Sequence, residues 1–447
     1  MGVPELASTS GALISTERID ALRRRPIAVT EKGFGASASK HPVSAAWLAE
    51  QRPPLFGGEF MMPVLVLRDS ALRHNAAAMA DWCADAGVRL APHGKTTMAP
   101  QLFARQFEAG AWAITAATLA QAQVYRSFGV GRILIANELT DPAGIGWLAR
   151  ELSADPDWEC FGYVDSVAGV RLLDSALAAA GASRTLSVLV ELGHEDGRTG
   201  CRSVTEAVEV AAAVRTARSL ALAGVGGYEG GLGHDGRPET LAKVASYCTR
   251  LRDLAETVAA GRMGAGVDKP IVSAGGSAFF DVVARELAGS AAAGLEVVLR
   301  SGCYLSHDHG EYAEMGPASR GAGPELAPAI ELWAPVLSCP EPGLALACAG
   351  RRDVAFDQGM PIPLWIRRAA GSAARGAAGV VEPAGGLTVS QLADQHAFVN
   401  VPPGVRLAPG DLIGFGISHP CTTFDKWRVI AVVDDDYRVI DAVHTFF

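Results

Sequence analysis

From Pro63 to about Gly316 the chain repeats one motif: a short apolar, β-branched run, then a longer Ala-rich stretch of helical character. The runs are MPVLVL (62–67), VRLAPHGK (88–95), AWAITAAT (111–118), RILIANEL (132–139), ECFGYVDS (159–166), TLSVLVELG (185–193), LALAGVGGYEG (220–230), PIVSAGGSA (270–278) and LEVVLRSGCY (295–304). Strands that alternate with helices predict βαβ units and a parallel sheet. Setting the first run aside leaves eight strands over about 220 residues, the size of a (β/α)8 TIM barrel. The first run then lies outside the barrel proper, joining another sheet or leading into the first helix. An open doubly wound sheet is the alternative, and the lack of a GxGxxG segment opening a helix after the first strand weakens its dinucleotide-binding form.

After Gly316 the alternation stops. ELWAPVLSC, LALACAG, HAFVNV, DLIGFGIS, WRVIAVVDDDYRVI and AVHTFF are short runs broken by Gly, Pro and Asp, which predicts a separate antiparallel β domain. GSAARGAAGVVEPAGG (371–386) reads as an exposed loop. The expected division is a lead-in over 1–60 packed on the β domain, a barrel over 61–316 and the β domain over 317–447.

Composition narrows the function classes. About half of the 447 residues are apolar, ample for a large core. The net charge of −9 with no basic run argues against nucleic acid or an anionic membrane as partner. No apolar stretch reaches the ~18 residues of a membrane span, and the N-terminus lacks a secretion signal and matches the myristoylation pattern poorly. Eight cysteines without a CxxC pair read as reduced thiols of a cytoplasmic protein.

In a barrel, chemistry collects at the C-terminal ends of strands. Here those ends read HGK, NE, DS, ELGHEDGRTG, YEGGLGH, AGGS and RSGCYLSHDHGEY. Lys95 ends the first barrel strand, with His93 two residues before it on the same side. A partly desolvated lysine at an apolar mouth suits Schiff-base chemistry; a solvated strand-end lysine is the plainer reading. AGGS (274–277) and SGCY (301–304) close the last two strands, where this fold holds phosphate, or they are simple tight turns. In SHPCTTFDKW (418–427), His419 and Cys421 stand at i and i+2, so on a strand they share a face and suit zinc; a packed Cys beside a surface His is the alternative. Pro420 places them at an edge or a strand end.

PHGKTTMAP, GRTG, YEGG, SAGGS, RSGCY and SHPCTTFDKW together resemble the fold type III (alanine-racemase-like) pyridoxal-phosphate enzymes. Within that group they are similar to the branch of D-serine dehydratase, D-threonine aldolase and D-threo-3-hydroxyaspartate dehydratase. The resemblance runs from about Pro63 to the C-terminus. It implies a Schiff base on Lys95, with Arg198 at the cofactor's phenolic oxygen and Tyr228 near its ring nitrogen. It places the phosphate at Gly275, Gly276, Ser277, Gly302, Cys303 and Tyr304, with His93 also in the cofactor site. It assigns a divalent metal, zinc by ligand softness, to His419 and Cys421, and it implies a homodimer acting on a small D-amino acid.

The same resemblance implies β-elimination from a D-β-hydroxy amino acid, giving a 2-oxo acid and ammonia. Lys95 takes the Cα proton and the metal polarises the leaving hydroxyl. Retro-aldol cleavage is the alternative within the fold. Family aldolases tend to carry an acid at the Cys421 position, and dehydratases a cysteine. A racemase or a non-catalytic cofactor carrier leaves the metal pair unexplained. Two departures stand out: Thr97 and Met98 follow the lysine where many relatives are basic, and the GHEDGRTG turn is longer than the compact form. His396 is expected to lean towards the site. The segment with His307 and His309 reads as a solvated loop, and Asp425 and Lys426 as surface.

Overall fold

The computed structural model describes residues 13–261, 269–291, 294–369 and 379–447. The first apolar run is a strand, β1 (Val64–Arg68), that passes directly into the helix Asp69–Asp85. The other eight runs each supply one strand: β2 (Arg89–Leu90), β3 (Ile114–Ala116), β4 (Arg132–Glu138), β5 (Glu159–Val164), β6 (Leu186–Leu192), β7 (Leu220–Gly227), β8 (Ile271–Ala274) and β9 (Glu296–Leu299).

Neighbours from β3 through β9 pair in parallel and in sequence order, and β9 pairs with β2. The circuit closes where the Trp112 N–H donates to the Leu90 carbonyl at 2.7 Å and the Thr115 N–H to the Pro92 carbonyl at 2.8 Å. Alternate side chains therefore point inward. Leu134, Phe161, Leu189, Ala223, Ile271 and Val298 pack together in the interior. Polar residues at the strand ends start the outer helices. The side chains of Thr118, Asp141, Ser166 and Ser203 cap successive helix N-termini, and Ser203 forms a capping box with Glu206.

The second sheet draws on both ends of the chain. β1 lies between β10 (Ile330–Glu341), to which it is antiparallel, and β17 (Val429–Val433), to which it is parallel. The first run thus belongs to the β domain and also leads into the first helix. The sheet continues through β18 (Val439–His444) on one side, and through β16 (Leu412–Gly416), β12 (Ile362–Arg367) and β13 (Val381–Pro383) on the other. β11 (Leu344–Ala347), β14 (Thr388–Leu392) and β15 (Ala397–Asn400) extend the far end of β10. Phe34, Leu48, Leu55 and Phe60 from the lead-in pack against Val64, Trp333 and Ala431 on this sheet. Part of the segment expected as an exposed loop is instead β13, whose backbone pairs with β12; residues 371–378 lie outside the described residues.

One junction positions the site. The His309 N–H donates to the Ile417 carbonyl at 3.0 Å and the Glu311 N–H to the Ser418 carbonyl at 3.2 Å. This pins the β16 exit loop over the barrel mouth. The approach needs glycine on both sides: a Cβ on Gly310 would meet Ser418 Cα at 2.8 Å, and one on Gly416 would meet the His309 ring at 2.5 Å. Among the described residues no helix is long and apolar enough to cross a membrane.

Candidate active site

A cavity of about 580 Å³ opens at the C-terminal end of the barrel strands, beneath the 418–421 loop. Of the residues singled out in the sequence, Lys95, His93, Arg198, Tyr228, Gly276, Ser277, Gly302, Cys303, His419 and Cys421 line it. Lys95 sits on a 3-10 turn, Gly94–Thr96, rather than on the strand itself. Gly94 is packed against Ile114 and Tyr125, where a Cβ would stand 2.8 Å from each, so the chain turns there.

The floor is rich in buried polar groups. His93 is half-buried and lines the cavity. Burial, then the positive charges of Lys95, Arg300 and Arg198, hold its imidazole well below the usual pKa, so it is neutral. Arg300 anchors through the Ser273 hydroxyl at 2.7 Å and the Gly227 carbonyl at 2.5 Å. Arg198 stacks over the Tyr228 ring at 4.2 Å. Burial, with the Glu229 carboxylate, raises the Tyr228 phenol and keeps it neutral. Glu138 is lifted to about 8 by burial and by the neighbouring Glu191. Among the described residues, His93 Nδ1, Arg300 Nε, Glu191 Oε2 and the Tyr163 hydroxyl have no hydrogen-bond partner. Buried polar atoms are normally satisfied, so these call for a polar ligand in the cavity.

The phosphate cradle differs from expectation at one turn. The N–H groups of Gly275 and Gly276 donate to the buried Glu229 carboxylate, at 3.1 and 2.6 Å, and so are closed to an anion. The Tyr304 side chain points away from the cavity, its hydroxyl accepting from Gln106 at 3.3 Å, but its N–H makes no hydrogen bond among the described residues. The Ser277 and Gly302 N–H groups make no hydrogen bond among the described residues. A Cβ on Gly302 would meet the His93 carbonyl at 2.6 Å, so the backbone approaches closely there.

His419 and Cys421 do not share a strand. Pro420 ends the exit loop, and Cys421 opens a short helix, Cys421–Phe424. The two side chains still converge on the cavity. His419 Nδ1 is 2.7 Å from Asp357 Oδ2, which leaves Nε2 as the nitrogen available to a ligand. Burial opposes protonation of His419, but Cys421 and Asp357 outweigh it and raise the ring to about 9. Cys421 Sγ lies 3.3 Å from Thr96 Oγ1 and 3.6 Å from Cys303 Sγ. Its hydrogen bond with Cys303, and then His419, favour its thiolate form. Among the described residues no group of three His, Cys, Asp or Glu side chains stands ready to hold a metal ion. The soft sulfur and imidazole donors nevertheless suit a borderline ion such as zinc.

Other expectations are corrected. His396 lies exposed in the β14–β15 hairpin turn and is not among the residues that line the cavity. The 306–312 segment is not an open loop: residues 306–308 are buried and 309–312 half-buried. Asp308 is fully buried, and burial lowers His307 and His309 to about 4 each. Sequence reasoning missed Arg300, Glu191, Glu229, Asp357 and Glu311. Arg300 stood in a quoted motif, RSGCY, and its place at a strand end was the available signal.

The chain matches the alanine racemase N-terminal domain family over residues 68–283 and the putative serine dehydratase domain family over residues 329–433. It is 28% identical to a D-threonine aldolase of Arthrobacter over 83% of this chain and 89% of the relative. It is 25% identical to a 3-hydroxy-D-aspartate aldolase of Paracoccus denitrificans over 69% of this chain and 77% of that one. The solved D-threonine aldolase of Filomicrobium marinum superposes with a TM-score of 0.70 at 25% identity, covering 87% of this chain and 95% of the other. D-threo-3-hydroxyaspartate dehydratase of a Delftia species shares the fold, with a TM-score of 0.67 at 23% identity over 86% of this chain and 97% of its own. The chain belongs to the fold type III pyridoxal-phosphate enzymes, in the branch of D-serine dehydratase and D-threonine aldolase. The cavity fits that cofactor: it offers a lysine, a stacked arginine–tyrosine pair, two unpaired backbone N–H groups and unsatisfied polar atoms on its floor.

Proposed function

We propose that this chain is a pyridoxal-phosphate- and metal-dependent lyase that eliminates the β-hydroxyl of a D-β-hydroxy amino acid, giving a 2-oxo acid and ammonia. One observation carries the reading. Lys95 and the His419–Cys421 pair line the same cavity, with Cys421 Sγ 3.3 Å from Thr96, the residue next to the lysine. A base for Cα and a holder for the β-oxygen are thus side by side.

Lys95 holds the cofactor and, when substrate takes its place, removes the Cα proton. The bound cofactor supplies an electron sink for the charge that arises at Cα. Tyr228, a neutral phenol under Arg198, and the unpaired N–H groups of Ser277 and Gly302 orient the cofactor's ring and phosphate. His419, steadied by Asp357, and Cys421 would hold a divalent metal, which would supply Lewis acidity at the β-oxygen. In a solved D-threo-3-hydroxyaspartate dehydratase at 22% identity, a cysteine-to-alanine variant is in a metal-free form.

Retro-aldol cleavage is the second reading, favoured by the two curated relatives described above, both aldolases. Product analysis separates the two. With D-serine and D-threonine as substrates, elimination gives pyruvate and 2-oxobutyrate. Glycine and acetaldehyde from D-threonine, with no oxo acid, would overturn elimination. Turnover lost on chelation, with cofactor absorbance kept, would set a metal enzyme apart from a cofactor carrier.

A further inference from the structure

We propose that Glu229 is a positioning residue for the cofactor's phosphate: its carboxylate fills the anion nest of Gly275 and Gly276 and so sets the turn that presents Ser277. This rests on the chain holding pyridoxal phosphate, and not on which bond it then breaks.

The carboxylate stands where a charge is costly. Glu229 is 0% exposed, and burying a carboxylate without a cation carries a large desolvation penalty. No ion pair reaches it among the described residues. Its oxygens accept instead from two successive N–H groups, Gly275 at 3.1 Å and Gly276 at 2.6 Å. Successive N–H groups that converge in this way form a nest for an anion. Gly275 has a φ of +95°, a conformation open to glycine and strained for other residues. The place that these glycines would offer a phosphate is thus taken by the chain's own carboxylate.

The carbonyls of the same turn are held from the other side. The Gly275 carbonyl accepts from the Arg300 N–H at 3.1 Å. The Ser301 hydroxyl is shared between the Gly275 and Gly276 carbonyls, at 3.1 and 3.2 Å. Both sides of the turn are therefore fixed, one by the residues that follow β9 and the other by Glu229. Ser277 comes next, with its N–H unpaired and its hydroxyl accepting from the Cys303 N–H at 3.3 Å. Two anions do not share one nest, so the phosphate is left the unpaired N–H groups of Ser277, Gly302 and Tyr304. A Cβ on Gly276 would meet Tyr228 Cε2 at 3.1 Å and Glu229 Oε1 at 3.4 Å, so turn, ring and carboxylate pack as one unit.

Glu229→Ala empties the nest and tests the assignment. In the full chain freed of cofactor, affinity for pyridoxal phosphate should fall by ~10- to 100-fold, the scale of hydrogen bonds to a charged group. Affinity for pyridoxal, which lacks the phosphate, should fall far less. Acetate has the atoms that the substitution removes, and at high concentration it should refill the nest and return most of the lost affinity. Unchanged affinity for pyridoxal phosphate, equal losses for the two compounds, or no return with acetate would each overturn the proposal and leave the cofactor reading standing. A wild-type protein that binds no pyridoxal phosphate removes both. If Glu229→Ala does not fold, Glu229→Gln, which keeps one acceptor for the two N–H groups, carries the comparison of pyridoxal phosphate with pyridoxal, with a smaller expected loss.

Discussion

Asp357 Oδ2 accepts from His419 Nδ1 at 2.7 Å, and this bond fixes which ring nitrogen faces the cavity. The same carboxylate accepts from the Thr422 hydroxyl, so the acid is held from two sides. In Asp357→Ala the ring is free to turn. Zinc affinity is expected to fall by about 10- to 100-fold, read by competition with a chelating dye, while cofactor absorbance persists. Unchanged zinc affinity would mean that His419 does not bind metal.

Gly302→Ala tests the cradle. The added methyl would stand 2.6 Å from the His93 carbonyl and 3.0 Å from Thr96 Oγ1. The backbone must shift, at a cost of about 1–3 kcal/mol in stability. Cofactor affinity should drop with it, measured by reconstitution of the cofactor-free protein. A variant that binds the cofactor as wild type would show that the Gly302 N–H is not used.

Arg300→Met removes a buried charge and leaves the Gly227 carbonyl and Ser273 hydroxyl without their donor. A loss of about 2–4 kcal/mol is expected in chemical denaturation, since an unsatisfied buried acceptor keeps its full desolvation penalty. The His93 ring also loses one of the cations that disfavour its protonation, so its pKa should rise, which histidine ring NMR would show.

His444 bears on acid stability. Burial, then Arg25, lowers its folded pKa to about 4, below the value of ~6.5 in an unfolded chain. The unfolded state therefore binds the extra proton between those values. Stability is full above pH ~6.5 and is lost as pH falls towards 4, by about 1.4 kcal/mol per unit. His444→Gln should narrow the stability difference between pH 7 and pH 5 by about 2 kcal/mol in urea titrations. An unchanged difference would mean that the imidazole is protonated in the folded protein.

The eight barrel strands, their order and the helices between them were legible because periodicity and strand-end caps are short-range signals. Lys95 and His93 could be placed at the mouth for a related reason, since strand ends in a barrel converge there whatever the details, whereas Arg198 and Tyr228 were singled out only by the family resemblance. The HxC pair was visible as a pair, but its strand setting was not correct. Pro420 and the turn into Cys421–Phe424 gave it another backbone and the same convergence.

The remaining features depend on groups far apart in sequence. Glu229 closing the Gly275 and Gly276 N–H groups, Asp357 orienting His419 across 62 residues, and Cys303 meeting Cys421 across 118 are consequences of docking, not of local pattern. His396 shows the converse: a residue that looked functional in its local context ended in an exposed turn. The sequence by itself determined the barrel and the place of Lys95 at its mouth, because side-chain alternation and strand length act within a few residues. Only the tertiary structure decided which atoms face the cavity, because that depends on where the β16 exit loop settles over the barrel, through contacts such as His309 to Ile417 that no neighbouring residues encode.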